Sequence, residues 1–284
     1  ATSNQQPHMH IRQKSSPREV ATMNTESLRR EFLVAPLFDA GHIHWTYSHY
    51  DRMLIGGAQP ADKPLTLQTP NELRAEFFLE RRELGIINIG GAGTVTGGTD
   101  TFNLNKLDCL YIGKGNKTVQ FSSVSAKEPA LFYLLSAPAH RVYPNRLMTA
   151  AEANPNQLGA AATANTRTIY KYIHPDGIES CQLVMGLTTL ESGNVWNTMP
   201  PHTHDRRMEV YCYFDVPGGQ RVLHLMGQPD ETRHLWLDNH QAIISPPWSI
   251  HAGCGTMAYS FIWGMAGENQ SFADMDHLSL GALS

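Results

Sequence analysis

The sequence predicts an all-β chain, folded as two antiparallel barrels or sandwiches with few short helices. Three observations carry this prediction. Short apolar runs recur along the chain, broken by Gly, Pro, Asn and Asp; helical periodicity is sparse; and one charged-then-apolar pattern occurs twice. The strand candidates of the first half are residues 85–89, 107–112, 118–121 and 130–135. Those of the second are 168–173, 180–187, 209–214, 221–226, 241–244 and 258–263. Strands at this spacing argue for a sandwich or barrel and against βαβ units. Helix is expected only over Thr25-Glu26-Ser27-Leu28-Arg29-Arg30-Glu31-Phe32, with Asn24 or Thr25 as N-cap, and for a turn or two over residues 70–76.

The repeated pattern divides the chain. Glu80-Arg81-Arg82-Glu83-Leu84 precedes Gly85-Ile86-Ile87-Asn88-Ile89, and Arg206-Arg207-Met208-Glu209-Val210 opens Tyr211-Cys212-Tyr213-Phe214. In each half a later apolar strand meets a loop, at Leu110-Tyr111-Ile112-Gly113-Lys114-Gly115 and at Ile243-Ile244-Ser245-Pro246-Pro247-Trp248. Two related barrel units fit this echo. We therefore expect a disordered or extended segment over 1–24 and a first barrel without metal ligands over 25–145. A linker rich in Ala, Asn, Thr and Pro follows over 146–167, and a metal-binding second barrel over 168–284.

Composition sets limits on function. The 284 residues are 41% hydrophobic and 17% charged with a net charge of −4, as in ordinary globular domains. No basic patch points to nucleic acid and no run of 18 apolar residues points to a membrane span. The N-terminus has no apolar signal region, and the four scattered cysteines form no CxxC pair, so reduced thiols in a cytoplasmic protein are expected. Residues 1–8 are polar, precede Met9, and read as a disordered extension.

Chemistry concentrates in Pro201-His202-Thr203-His204-Asp205-Arg206-Arg207-Met208-Glu209 and in Trp248-Ser249-Ile250-His251. Histidines at i and i+2 share one face of a strand. Glu209, five residues beyond His204, falls on the other face unless a turn or bulge at residues 205–207 resets the parity. Glu209, Tyr211 and Tyr213 then point into the barrel, and Val210, Cys212 and Phe214 into the neighbouring layer. Three imidazoles and one carboxylate suit a divalent transition metal with positions left open. A lone HxH more often marks hydrogen-bonded residues at a strand end. His42-Ile43-His44 is read that way, since no carboxylate or third histidine follows at a suitable distance. His224, His234 and His240 lie near the later strands and are each read as structural or pocket-lining.

HxHx4E followed by a later histidine resembles the cupin metal motif pair. The consensus glycine about six residues before the first histidine is missing, Gly193 lying nine before it, and Trp248 stands where a glycine three before the last histidine is usual. A finer resemblance is to the 5-keto-4-deoxyuronate isomerase family (4-deoxy-L-threo-5-hexosulose-uronate ketol-isomerase, KduI type). It is carried by Arg30-Glu31-Phe32-Leu33-Val34, Phe78-Leu79-Glu80-Arg81-Arg82-Glu83-Leu84-Gly85, Ile87-Asn88-Ile89-Gly90-Gly91-Ala92-Gly93, Trp196-Asn197-Thr198-Met199-Pro200, Met226-Gly227-Gln228-Pro229 and Phe261-Ile262-Trp263-Gly264-Met265. The resemblance implies a bicupin fold and one zinc per chain, held by His202, His204, Glu209 and His251. It also implies a homo-hexamer, and interconversion of 5-keto-4-deoxyuronate with 3-deoxy-D-glycero-2,5-hexodiulosonate in the use of pectin-derived uronates.

Such a ketol isomerisation moves a proton between neighbouring carbons through a cis-enediolate whose charge a Lewis acid stabilises. Glu231 and His234, in a polar stretch near the expected barrel mouth, are candidates for the catalytic base, and Glu209 is a third. Arg167, Lys171 and Arg206 or Arg207 are candidates to hold the substrate carboxylate. Trp196, Trp248 and Tyr259 are candidate walls for the sugar. Three rival readings use the same motif: an isomerase of 5-deoxyglucuronate, an iron-dependent oxygenase, and a non-catalytic sugar-binding bicupin.

Overall fold

Alternating burial along strands and close approach of glycines produce four main sheets, paired as two sandwiches. The structure is a computed structural model and describes residues 9–284. The first large sheet has the strand order Met9–Arg12, His42–Ser48, Leu54–Gln59, Phe132–Pro138, Arg82–Asn88, Cys109–Ile112, Arg146–Met148. The second has the order Asn156–Leu158, Arg167–Ile173, Val184–Leu190, Ser260–Gly267, Arg207–Phe214, Gln241–Ser245, Leu33–Val34. Each faces a four-stranded sheet. These run Leu65–Thr66, Val119–Ser123, Gly93–Gly97, Asp100–Leu104 in the first half and Trp196–Asn197, Ala252–Gly255, Val222–Gln228, Glu231–Leu237 in the second. The two orders correspond position for position, except that the edge strand Met9–Arg12 pairs in parallel and Asn156–Leu158 antiparallel, so the sequence echo is a duplication of architecture. The all-β expectation holds.

The large sheets stack back to back on a shared core. Val210, Cys212 and Phe214 join Ile87, Tyr133 and Leu135 of the first half there. Two glycines permit this contact: a Cβ on Gly264 would lie 2.0 Å from Leu135 Cδ1, and one on Gly85 would lie 2.8 Å from Leu183 Cδ2. Glu83 fastens the same seam. Its buried carboxylate accepts from Tyr111 Oη at 2.8 Å and from the amides of Cys181, Gln182 and Leu183 at 2.7, 2.9 and 2.9 Å.

The two interiors differ at matched positions. Leu84 pairs with Ser136 and Ile112, and its counterpart Glu209 pairs with Met265 and Ser245. The first barrel is accordingly filled by Trp45, Leu84, Ile86, Phe121 and Phe132. The second turns carboxylate and imidazole groups inward.

The expected boundaries need correction. Residues 1–8 lie outside the described residues. Within 9–24, Met9–Arg12 adds in parallel to the edge strand His42–Ser48, and Pro17–Thr22 is a helix. Ser16 and Glu19 form its capping box, the S-x-x-E signature of a helix start. Nor are residues 146–167 a free linker, because Arg146–Met148 closes the first sheet and Asn156–Leu158 starts the second. Residues 25–145 do not stand apart either. Helix Thr25–Phe32 packs Leu28 and Phe32 into the shared core, and Leu33–Val34 crosses to pair with Gln241–Ser245 of the other half. An exposed sheet edge takes any strand that buries apolar residues, whichever half supplies it. The helix expected over 70–76 is one 3-10 turn, Asn71–Leu73, ended by Arg74 at φ +47°.

Candidate metal centre

Three local features bring the candidate ligands together. His202–Thr203 is a short strand paired with Asp276–His277. The chain then turns, Arg207 N donating to His204 O at 3.2 Å, and strand Arg207–Phe214 begins. This turn at 205–207 resets the parity, and Glu209 faces the two histidines. His251 arrives after a second turn, in which Ser249 N donates to Pro246 O at 2.9 Å. The donor atoms of His202, His204, Glu209 and His251 all lie within 4.8 Å of one another, and all four residues are buried.

The donor set fits a cation. Glu209 Oε2 is 3.0 Å from His204 Nε2 and 3.0 Å from His251 Nε2, and the Nε2 atoms of His251 and His202 are 2.9 Å apart. Ligands about 2.1 Å from one ion at right angles lie about 3.0 Å apart. A hydrogen-bonded reading must share one His251 Nε2 proton between Glu209 and His202, whereas lone pairs converging on a cation satisfy all four groups. The outer nitrogens support this: His204 Nδ1 lies 3.0 Å from Arg207 O and His251 Nδ1 3.3 Å from Ser245 Oγ, which leaves each Nε2 free to ligate. Burial, together with His251, lowers His202 to about 3, so its imidazole is neutral at pH 7. Burial pushes the Glu209 carboxyl up, but His251 and the hydrogen bonds from His204 and His251 outweigh it and hold it well below the usual carboxylate range.

Above the cluster lies a pocket of about 450 Å³, within the range of small-molecule sites. Its walls include Ile169, Phe261, Trp263, Phe272 and Met275. Thr198 Oγ1 and Tyr211 Oη, 2.8 Å apart, supply hydroxyls at its edge. Arg207 is 1% exposed and donates through Nη1 to Ser271 O at 2.6 Å and through Nη2 to Asp274 O at 3.0 Å. It thereby holds the C-terminal segment that carries Phe272, Met275, His277 and Leu278 over the pocket.

The remaining candidates divide. Arg167 lines the pocket, and among the described residues its guanidinium makes one hydrogen bond, Nη1 to Asn165 O at 3.0 Å, to a carbonyl. Arg206 is bound by Asp274 and Asp276 at 2.6 and 2.9 Å, so its charge is already compensated. Lys171 lies 5.0 Å from the ring of Phe272, behind the pocket wall. Trp196 sits on the outer four-stranded sheet, Trp248 packs against the shared core, and Tyr259 is buried with its hydroxyl donating to Asn197 Oδ1. None of Arg206, Lys171, Trp196, Trp248 and Tyr259 lines the pocket.

Glu231 and His234 require correction as catalytic candidates. They lie on Glu231–Leu237, the edge strand of the outer sheet, away from the pocket. Period-two alternation buries Leu235 and Leu237 and turns His234 outward with Trp236, and Glu231 pairs with Arg233 at 2.6 Å. Sequence reasoning missed Thr198, Phe272, Met275, His277 and Leu278. No local pattern marks the last four, because contacts distant in sequence, from Arg206, Arg207 and the strand His202–Thr203, bring the C-terminal segment to the pocket.

A model of the KduI/IolB family matches residues 32–280. The chain is 56% identical over 275 residues to the 4-deoxy-L-threo-5-hexosulose-uronate ketol-isomerase of Shouchella clausii, covering 97% of this chain and 100% of that one. It is 54% identical over 272 residues to the protein of that name from Halalkalibacterium halodurans, covering 96% and 99%. Among solved structures, an IolB-like protein from Salmonella typhimurium has the same fold, with a TM-score of 0.71 at 16% identity over 87% of this chain and 96% of that one.

Proposed function

The chain belongs to the KduI/IolB family, and on that premise we propose that it is a zinc-dependent ketol-isomerase interconverting 5-keto-4-deoxyuronate and 3-deoxy-D-glycero-2,5-hexodiulosonate. The observation that carries this reading is the buried convergence of His202, His204, Glu209 and His251 beneath a pocket of about 450 Å³, in a chain more than half identical to proteins of that name. These four would hold the ion. When bound, it supplies Lewis-acid stabilisation of negative charge on the substrate's carbonyl and hydroxyl oxygens. His204 and His251 are oriented for this by Arg207 O and Ser245 Oγ.

Arg167 is the proposed carboxylate anchor. It lines the pocket, burial lowers its pKa, and among the described residues no carboxylate pairs with it. An anionic substrate supplies the missing charge. Phe261, Trp263 and Phe272 exclude water from the reacting carbons. Tyr211 and Thr198 offer hydroxyls to the sugar. The setting we propose is cytoplasmic use of uronates released from pectin, by a homo-hexamer whose mass light scattering measures.

One assay tests the reaction. Purified protein converts 5-keto-4-deoxyuronate, emission spectrometry finds one zinc per chain, and His251→Ala loses both. Turnover of 5-deoxyglucuronate alone moves the reading to that isomerase. Stoichiometric iron with oxygen uptake replaces it with an oxygenase, and sugar binding without turnover replaces it with a binding protein.

A further inference from the structure

The first barrel has a cavity in the place of the second barrel's pocket. It measures about 470 Å³ and is lined from Met9–Arg12, His42–Ser48, Arg82–Asn88 and Phe132–Pro138. Their counterparts in the duplicated sheet order are Asn156–Leu158, Arg167–Ile173, Arg207–Phe214 and Ser260–Gly267, all of which line the metal pocket. Register matches the two buried arginines: Arg82 pairs with Pro138 as Arg207 pairs with Gly267.

Arg82 is 7% exposed and lines this cavity. Its Nε donates to Ser136 Oγ at 3.0 Å, and its Nη2 to Arg52 O and Ser136 O, each at 2.6 Å. Nη1 has no partner among the described residues. All three acceptors are neutral, and the neighbouring carboxylate of Glu83 is taken up on the opposite face by Tyr111 and the amides of residues 181–183. A buried guanidinium without a counter-ion is costly, and an entering anion removes that cost. Arg74 and Arg81 add positive charge at the rim. Tyr47 and Phe78 offer apolar faces, and His49 and Glu72 offer hydrogen-bonding groups. This is the chemistry of a ring that carries hydroxyls and one carboxylate.

We propose that the first barrel holds a second, metal-free ligand site, a pocket for a sugar acid whose carboxylate meets Arg82. The proposal rests on Arg82, the cavity and the duplicated architecture, and does not depend on the reaction of the second barrel. It is tested by calorimetric titration of the intact, metal-loaded protein with D-galacturonate, with neutral D-galactose as control. Parent protein is compared with Arg82→Gln, with Ala75→Phe, which fills the cavity from its wall, and with Arg167→Met in the other barrel. Near-ultraviolet circular dichroism verifies the fold of each. The expected result is a galacturonate-binding event that survives Arg167→Met, is absent with galactose, and weakens roughly tenfold to a hundredfold in Arg82→Gln, as for loss of a charged hydrogen bond. Ala75→Phe gives the same loss without touching the arginine, which covers the case in which Arg82→Gln fails to fold. Absence of galacturonate binding, equal binding of galactose, or affinity unchanged in the first-barrel variants overturns the proposal.

Discussion

Replacing Arg167 by methionine isolates the proposed carboxylate anchor. Methionine keeps an unbranched, flexible chain in the wall and removes the guanidinium. The fold loses one hydrogen bond, Nη1 to Asn165 O at 3.0 Å, a contribution of about 1 kcal/mol. That loss is offset in part because a half-buried cation no longer has to be desolvated, the cause that lowers its pKa. The melting temperature therefore stays within a few degrees of the parent. Substrate binding loses a charge-assisted contact of about 1.5 to 3 kcal/mol, a drop in kcat/KM of roughly tenfold to 150-fold. Since the carboxylate is remote from the reacting carbons, the loss falls mainly on KM. Arg167→Lys keeps the charge without the planar fork and falls between parent and methionine. The assay is steady-state isomerisation of 5-keto-4-deoxyuronate at two salt concentrations. A kcat/KM for Arg167→Met within threefold of the parent refutes the anchor, because no pocket cation with a free guanidinium edge would then be contributing charge.

Other consequences concern stability and metal. Glu83→Gln replaces one carboxylate oxygen by an NH2, set either against the amides of Gln182 and Leu183 or against the Cys181 amide and the Tyr111 hydroxyl, and lowers unfolding free energy by about 2 to 4 kcal/mol in guanidinium titration. His224 is fully buried, with Nδ1 2.7 Å from Tyr213 Oη, and burial lowers it to about 3. Its folded value lies below the unfolded value of about 6.5, so the unfolded chain takes up the proton first as pH falls. The associated stability is complete above pH ~6.5 and declines toward pH ~3, by roughly 2 kcal/mol at pH 5. His224→Asn flattens that slope, and an unchanged slope speaks against a buried neutral imidazole. Chelation followed by zinc addition lowers and then restores the melting temperature, by an increment that grows with free zinc. His251→Ala abolishes the zinc-dependent part, and a melting point indifferent to zinc argues against the four-residue site.

Local chemistry made much of this protein legible from residue order alone. The HxH spacing determined that two imidazoles share a face, and the charged turn at 205–207 determined that Glu209 joins them, because both depend on strand alternation and turn geometry. The capping box Ser16-Pro17-Arg18-Glu19 is equally local, and it starts a helix inside the segment expected to be disordered or extended. Alternating Leu235 and Leu237 already placed His234 on an outer face. Other features depend on groups far apart in sequence. Leu33–Val34 completes the sheet of the other half because an edge strand accepts any partner that buries apolar side chains. Arg207 and Arg206 reach some sixty-five residues onward to Ser271, Asp274 and Asp276, and so lay an unpatterned C-terminal segment across the pocket. Residue order alone carries the fold class and the four ligand candidates, since strand period and turn chemistry act within a few residues. Folding decides that Arg167 faces the pocket with no carboxylate paired to it among the described residues, and that a matching cavity survives in the first barrel. Charge compensation and packing are settled between segments that meet only after folding.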